Sequence, residues 1–171
     1  MERCLILVGH GGVPTDCPPA LVSEFKRLEA AARRDPSQAP ALAEADRKLR
    51  EWPRTPKTDP YRSGLEAIGE ALRHALPGRE VRLAYNEFCA PSLEASLEAA
   101  AAKGARAITV ISTMYTRGGV HSELEIPEIL EAFRRAHPGV EVRYCWPFDL
   151  AEIAGFLARE VARAEAPAPA R

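Results

Sequence analysis

The run Ala107-Ile108-Thr109-Val110-Ile111 constrains this chain most. It is apolar, β-branched and short, the signature of a strand buried on both faces. Behind it lies Ser112–Glu125, with a glycine pair, an arginine, a histidine and two carboxylates. An amphipathic helix follows, with Ile126, Ile129, Leu130 and Phe133 at helical spacing. The pattern is strand, polar loop, helix, and α/β sheets carry their chemistry at such junctions.

The rest of the chain repeats the alternation. Cys4–Gly9 is a continuous apolar run suited to a central parallel strand, ending in His10-Gly11-Gly12. A helix is predicted from Pro18 with Leu21, Val22, Phe25 and Leu28 on one face, broken at Asp35-Pro36-Ser37. A second carries Leu42, Ala45, Leu49 and Trp52, and a third carries Leu65, Ile68, Leu72 and Leu76 before stopping at Pro77-Gly78. Between these two lies Pro53–Pro60, a Pro-rich basic linker or lid. Val81, Leu83 and Tyr85 mark the second strand, which runs into Asn86-Glu87-Phe88. Pro91-Ser92 opens another helix, closed by Gly104. Beyond helix 123–136, Val140, Val142 and Tyr144 form a fourth strand. Asp149-Leu150-Ala151-Glu152 resembles a capping box for a last helix with Leu150, Ile153, Leu157 and Val161 facing inward. Pro77–Arg82 resembles Pro138–Arg143; shared helix-stop-then-strand chemistry accounts for this without an internal repeat.

This order predicts an α/β fold: a small doubly wound four-stranded parallel sheet, order 2-1-3-4, with helices on both faces. Residues 1–164 form one domain, with 13–62 as a helical insertion, and 165–171 form a flexible tail. The sheet order reverses between the first and third strands, and ligands bind beyond the carboxyl ends at that reversal. His10 ends the first strand, and the loop bearing His121 follows the third, so two distant histidines should meet. Glu87, ending the second strand, leans toward them.

Two neutral imidazoles and one carboxylate hold a divalent first-row ion with open positions, Co²⁺, Fe²⁺, Ni²⁺ or Zn²⁺ alike. The glycines beside each histidine, Gly11, Gly12, Gly118 and Gly119, let backbone approach a flat or bulky ligand. The imidazoles can also accept protons. Ordinary structural roles compete: His10 as a strand-end hydrogen-bond donor, Glu87 as a solvated or helix-capping carboxylate, Glu125 as the acid of an S-x-x-E cap begun by Ser122. His74 and His137 fall near helix C-termini, where the dipole favours imidazolium, and read as structural.

A net charge of −1 speaks against a nucleic-acid or polybasic membrane surface. No run is long enough to span a bilayer, and the chain enters its first strand at once, so a cytoplasmic location is expected. The cysteines lack disulfide or zinc-site spacing: Cys4 and Cys145 read as core, whereas Cys17 and Cys89 lie near loops where weak ligation stays open. GxGxxG, GxSxG and P-loop signatures are absent.

Four stretches resemble the CbiX-type sirohydrochlorin chelatases, relatives of the ferrochelatases and class II cobalt chelatases. They are Leu7–Gly12, Glu87–Glu94, Gly118–Pro127 and Ala136–Arg143. The resemblance implies insertion of a divalent metal, Co²⁺ foremost and Fe²⁺ or Ni²⁺ as alternatives, into sirohydrochlorin or a related tetrapyrrole. His10 and His121 match the family's metal-binding histidines and Glu87 its strand-end acid. The metal is substrate, no nucleotide is needed, and short members pair as homodimers. Gly11, Gly12, Tyr115, Arg117, Gly118 and Gly119 then fall at the substrate, and Arg54, Lys57, Arg62 and Arg117 become candidate partners for its peripheral carboxylates. Where the family continues its HG with Ser-Arg, this chain has Gly12-Val13-Pro14. A carrier that binds metal or tetrapyrrole without turnover, and a flavodoxin-like binder without metal, are the alternatives.

Overall fold

The computed structural model describes residues 3–166. Four strands, β1 (Arg3–Gly9), β2 (Glu80–Tyr85), β3 (Ala107–Ser112) and β4 (Glu141–Tyr144), form one parallel sheet ordered β2-β1-β3-β4. The helices are α1 (Pro19–Ala32), α2 (Ala39–Arg50), α3 (Pro60–Ala75), α4 (Leu93–Ala102), α5 (Ile126–Ala136) and α6 (Leu150–Glu165). Residues 167–171 of the expected tail lie outside the described residues. Among the described residues no helix is long and apolar enough to cross a membrane.

The sheet forms because β1 has no polar side chain to hydrate between Cys4 and Val8, all of them buried. Alternate residues of β1 serve two cores. Cys4, Ile6 and Val8 pack with Ile108 and Val110 under Leu93 and Leu97 of α4 and Ile126, Leu130 and Phe133 of α5. Each fully buried Leu or Ile there contributes about 1.5–3 kcal/mol. On the other face Leu7 packs with Tyr85, Cys89 and Leu65 of α3. Gly69 of α3 lies so close to Leu83 that a Cβ would stand 2.8 Å from its Cδ2. That contact rotates α3 and leaves Ile68, predicted on the apolar face, 48% exposed.

Several expectations need correction. The last helix does not face inward: no residue of α6 is buried, and Leu150, Leu157 and Val161 are 77%, 44% and 55% exposed. Its cap is as read, Asp149 accepting from the N–H groups of Ala151 (2.8 Å) and Glu152 (3.1 Å). Cys145 is exposed, because β4 ends one residue earlier. Cys17 and Cys89 are buried, and desolvation raises both thiol pKa values, which disfavours the thiolate that ligation needs. Trp52 lies past the end of α2, with its indole N–H donating to Asp16 at 3.3 Å. Leu76 and His137, each preceding a Pro-Gly or similar stop, take the same φ −126°, ψ 65° and bond back to the fourth carbonyl. Shared turn chemistry therefore explains the sequence echo.

Residues 13–59 have their own small core of Cys17, Phe25, Leu28, Ala45 and Leu49. Arg54 is not a free basic residue of a lid, as read from the sequence; its side chain is 2% exposed and paired with buried Asp59. It also donates to the carbonyls of Gly12 (2.8 Å), Leu49 (3.1 Å) and Phe88. Arg50 donates to the carbonyls of Tyr85 (3.1 Å), Asn86 (2.6 Å) and Cys89 (2.9 Å). A planar five-donor guanidinium suits converging carbonyls as an ammonium does not. Arg62 is committed to Glu66 at 2.8 Å, one helical turn on. Replacing Arg54 by Ala strands the Asp59 carboxylate in the interior, and urea denaturation should register a loss of about 3–5 kcal/mol. Arg54→Lys should recover less than half of it.

Candidate metal centre

Parallel pairing brings three strand ends to one edge. Val8 pairs with Ala84 and with Ser112, so the residues after each strand emerge side by side. The Glu87 N–H then donates to the His10 carbonyl at 2.8 Å, joining two loops directly. Gly11 makes that approach possible. Its φ is +97°, and a Cβ there would lie 1.9 Å from the Glu87 carbonyl oxygen. The sequence reading gave this glycine to a ligand; the group it admits is the backbone of Glu87. Phe88 follows at φ 58°, unusual for a large residue. The arginine bonds to its own and neighbouring carbonyls hold that turn.

His121 is carried differently. Residues His121–Glu125 form one wide π-helical turn, closed by the Ile126 N–H donating to the His121 carbonyl. Pro127 has no N–H to extend an ordinary ladder across this junction, and a single π turn often marks a functional site. Ser122 does not cap a helix. It is buried, its hydroxyl donates to the Met114 carbonyl at 3.2 Å, and its own carbonyl accepts from the Tyr144 hydroxyl at 3.1 Å. Glu125, expected to complete the cap, instead accepts from His121 Nδ1–H at 2.6 Å.

The three side chains converge. His10 Nε2 lies 4.0 Å from Glu87 Oε2, and His121 Nε2 lies 3.7 Å from Glu87 Oε1. The imidazole centroids are 4.9 Å apart at 80°, edge to face. His10 Nδ1 lies 3.0 Å from the Gly11 carbonyl, which can only accept, and Glu125 carboxylate likewise only accepts from His121. Both Nδ1 atoms therefore carry a proton, and in the neutral rings Nε2, the nitrogen turned toward Glu87, is left with the lone pair. This is the carboxylate- or carbonyl-oriented histidine arrangement usual around metals. One ligand atom from each residue falls within 4.8 Å of the others, alone among such triplets in the described residues. Three ligand atoms each about 2.1 Å from one ion lie about 3.4–3.6 Å apart, so the side chains draw inward by up to about an ångström to seat it.

The surroundings are acidic on one side and apolar on the other. A neighbouring cavity of ≈ 350 Å³ is lined by Glu29, Asp46, Glu87 and Glu125 against one cation, Arg50. The turn bearing His121 exposes Val120 (58%) and Leu124 (57%), with Tyr115 (43%) on the preceding loop. Arg117 is exposed and pairs with Glu123 at 3.6 Å, whose carboxylate also accepts from the Gly118 N–H. Gly119 lies in the open loop, a Cβ there coming no nearer than 3.9 Å to other atoms. Lys57 belongs to the segment after Arg54 and joins no such contact in the site. His137 stacks on Phe133 at 4.3 Å and pairs with Glu98, and His74 pairs with Glu70, in keeping with structural roles. Sequence reasoning missed Tyr61, whose hydroxyl accepts from the His10 N–H at 2.7 Å. It also missed the apolar Val120–Leu124 pair, although their i, i+4 spacing beside His121 was visible.

Fold and site together give a parallel α/β domain in which two histidines and one carboxylate converge in an arrangement that could hold a metal ion. A family model, CbiX, matches residues 57–164, more than half of the chain. The chain belongs to the CbiX family. Among solved structures it is similar to the cobalamin (vitamin B12) biosynthesis CbiX protein from Marinobacter aquaeolei VT8, at 18% identity and TM-score 0.57, over 96% of this chain and 97% of that one. SirB from Bacillus subtilis with Fe3+ is similar at 16% identity and TM-score 0.57, over 98% of this chain and 49% of SirB. The sirohydrochlorin chelatase SirB from Bacillus subtilis subspecies spizizenii, in complex with cobalt, is similar at 16% and 0.57, over 97% and 52%. The chain thus spans about half the length of the SirB proteins. No curated protein sequence matches it.

The two loop glycines differ in what they tolerate. Gly11→Ala should lower stability by at least about 2 kcal/mol through the left-handed φ and the clash at Glu87. Gly12→Ala, whose Cβ would meet nothing closer than 3.5 Å, should stay within about 0.5 kcal/mol. Urea midpoints of the two variants check this.

Proposed function

We propose that this protein is a tetrapyrrole chelatase that inserts a divalent metal, cobalt foremost with iron or nickel as alternatives, into sirohydrochlorin or a related macrocycle. One observation carries the reading: two Nε2 atoms, each left with a lone pair by the proton at Nδ1, are turned toward a single carboxylate at the sheet's reversal point. That set binds a first-row ion without saturating it, as a metal that must be handed on requires. Membership of the CbiX family and the likeness to a sirohydrochlorin chelatase that holds cobalt support the same chemistry.

The balance of the reaction assigns the roles. Insertion places one M²⁺ on the macrocycle and releases two pyrrole N–H protons, so it needs neither nucleotide nor redox partner. His10 and His121 hold the ion and then, as bonds to it pass to the pyrrole nitrogens, offer their freed lone pairs to those protons. Glu87 is the third ligand and a proton acceptor. Glu125 keeps the His121 ring oriented and stabilises its imidazolium. Gly12, Gly118 and Gly119 leave the approach unobstructed, Tyr115 with Val120 and Leu124 gives the ring an apolar face, and Arg117 meets its carboxylates. A homodimer, implied by the resemblance, and a cytoplasmic location, expected from the sequence, complete the reading.

The test follows absorbance on mixing purified protein with sirohydrochlorin and Co²⁺. Multiple turnovers are expected; binding of one equivalent without turnover would make the protein a carrier. His10→Ala and His121→Ala should each slow insertion at least about 100-fold and shift folding stability by less than about 1 kcal/mol, since both rings are partly exposed. Glu125→Gln should cost about 10–100-fold. Insertion near the wild-type rate by either histidine variant would overturn the assignment.

A further inference from the structure

We propose that Tyr61 is the positioning residue for His10: its hydroxyl, by holding the His10 backbone N–H, sets how tightly the two histidines and Glu87 bind their ion. The inference rests on the metal centre proposed above and adds to it a residue of α3 that acts only through His10.

The other two ligands have visible supports. Glu125 accepts from His121 Nδ1–H, and Arg50 and Arg54 hold the carbonyls on both sides of Glu87. His10 has less around it. Its side chain is 43% exposed against 19% for His121, so packing does not fix the ring. It stands one residue beyond β1, where its carbonyl accepts from the Glu87 N–H. Its own N–H is taken up by a side chain and not by a strand: Tyr61 accepts it at 2.7 Å, from 51 residues along the chain. That distance is at the short end of the N–H···O range.

The surroundings of this bond are shaped to it. A Cβ at Gly9 would stand 3.0 Å from the Tyr61 hydroxyl oxygen and 2.7 Å from Leu65 Cδ2, so a glycine at the end of β1 leaves the hydroxyl its path to the backbone. Tyr61 sits in the first turn of α3, whose N-cap Asp59 accepts from the Arg62 N–H at 2.9 Å and is paired with Arg54. Arg54 also bonds the Gly12 carbonyl. One buried ion pair therefore fixes both the helix that presents Tyr61 and the loop that receives it. The ring itself is 40% exposed, so packing gives little reason for a tyrosine here, and the hydroxyl gives one. Seating an ion draws the ligands inward. A pivot held at both its N–H and its carbonyl lets the imidazole swing without the loop shifting. With the hydroxyl gone, ordering of that loop is charged to each binding event.

Tyr61→Phe keeps the ring and removes only the hydroxyl. Titration of the full-length variant with Co²⁺, followed by the visible d–d absorbance, should give an affinity about 10-fold weaker than wild type, the size usual for a group that orients a metal ligand. In steady-state insertion the KM for Co²⁺ should rise by a similar factor while the KM for sirohydrochlorin stays the same. The backbone amide proton of His10, followed by NMR, should exchange with solvent faster. Gly9→Ala, which crowds the hydroxyl off the backbone, should weaken Co²⁺ binding in the same direction. Leu72→Ala, which loosens α3 further along its packed face, should lower the urea midpoint yet leave Co²⁺ affinity within about twofold. Equal Co²⁺ affinity in wild type and Tyr61→Phe would overturn the inference and leave the metal centre standing. So would an equal loss in Leu72→Ala, since the effect would then be one of helix docking. A wild type that binds no Co²⁺ would overturn the metal centre and this inference together.

Discussion

The parallel ladder through β1 is the constraint on which the rest depends. A central strand paired on both sides in fixed register delivers three chain segments to one edge about one strand spacing apart. With Val8 opposite both Ala84 and Ser112, the residues that follow have little freedom about where to emerge. His10 and Glu87 are then neighbours through their own backbones, the Glu87 N–H bonding to the His10 carbonyl. The chemistry of the site is a consequence of strand register before it is one of side chains.

Register brings the loops together but does not hold them in shape. That task falls to the helical excursion between β1 and α3. Arg50 and Arg54 reach from it to six backbone carbonyls, four of them in the consecutive stretch Tyr85, Asn86, Phe88 and Cys89 around Glu87. Loops near functional edges leave carbonyls with no ladder partner, and a buried unpaired carbonyl is costly. Two guanidinium groups resolve this for a turn that no regular element could satisfy. The excursion thus acts as a buttress of the loop that carries Glu87. Its basic residues near the site are spent on backbone, and Arg117 on the opposite loop keeps an exposed charge.

The wide turn at His121–Glu125 solves the same problem on the other side. By shifting the ladder one residue at Pro127, it sets Glu125 beneath His121 and fixes which nitrogen carries the proton. A helix begun at Ser122 would have used that carboxylate as a cap. Orientation of a ligand and termination of a helix compete for one side chain, and Ser122 is withdrawn to bond Met114 and Tyr144 instead.

The amino-acid sequence alone determined the alternation of strands and helices, the sheet order and the meeting of His10, His121 and Glu87. Those follow from local apolar periodicity, helix stops and a topological rule, all of which act within short windows or through chirality. What only the tertiary structure decided is the use of groups whose role depends on distant backbone. Arg54 looked like surface charge until Asp59 and the carbonyls of Gly12 and Phe88 closed around it. Gly11 looked like room for a ligand until the Glu87 carbonyl occupied that room. The stripe of α6 was readable, but periodicity says that a face must be buried and not against what. Burial of a surface is a property of whatever shape lies opposite, and that shape is assembled from residues far along the chain.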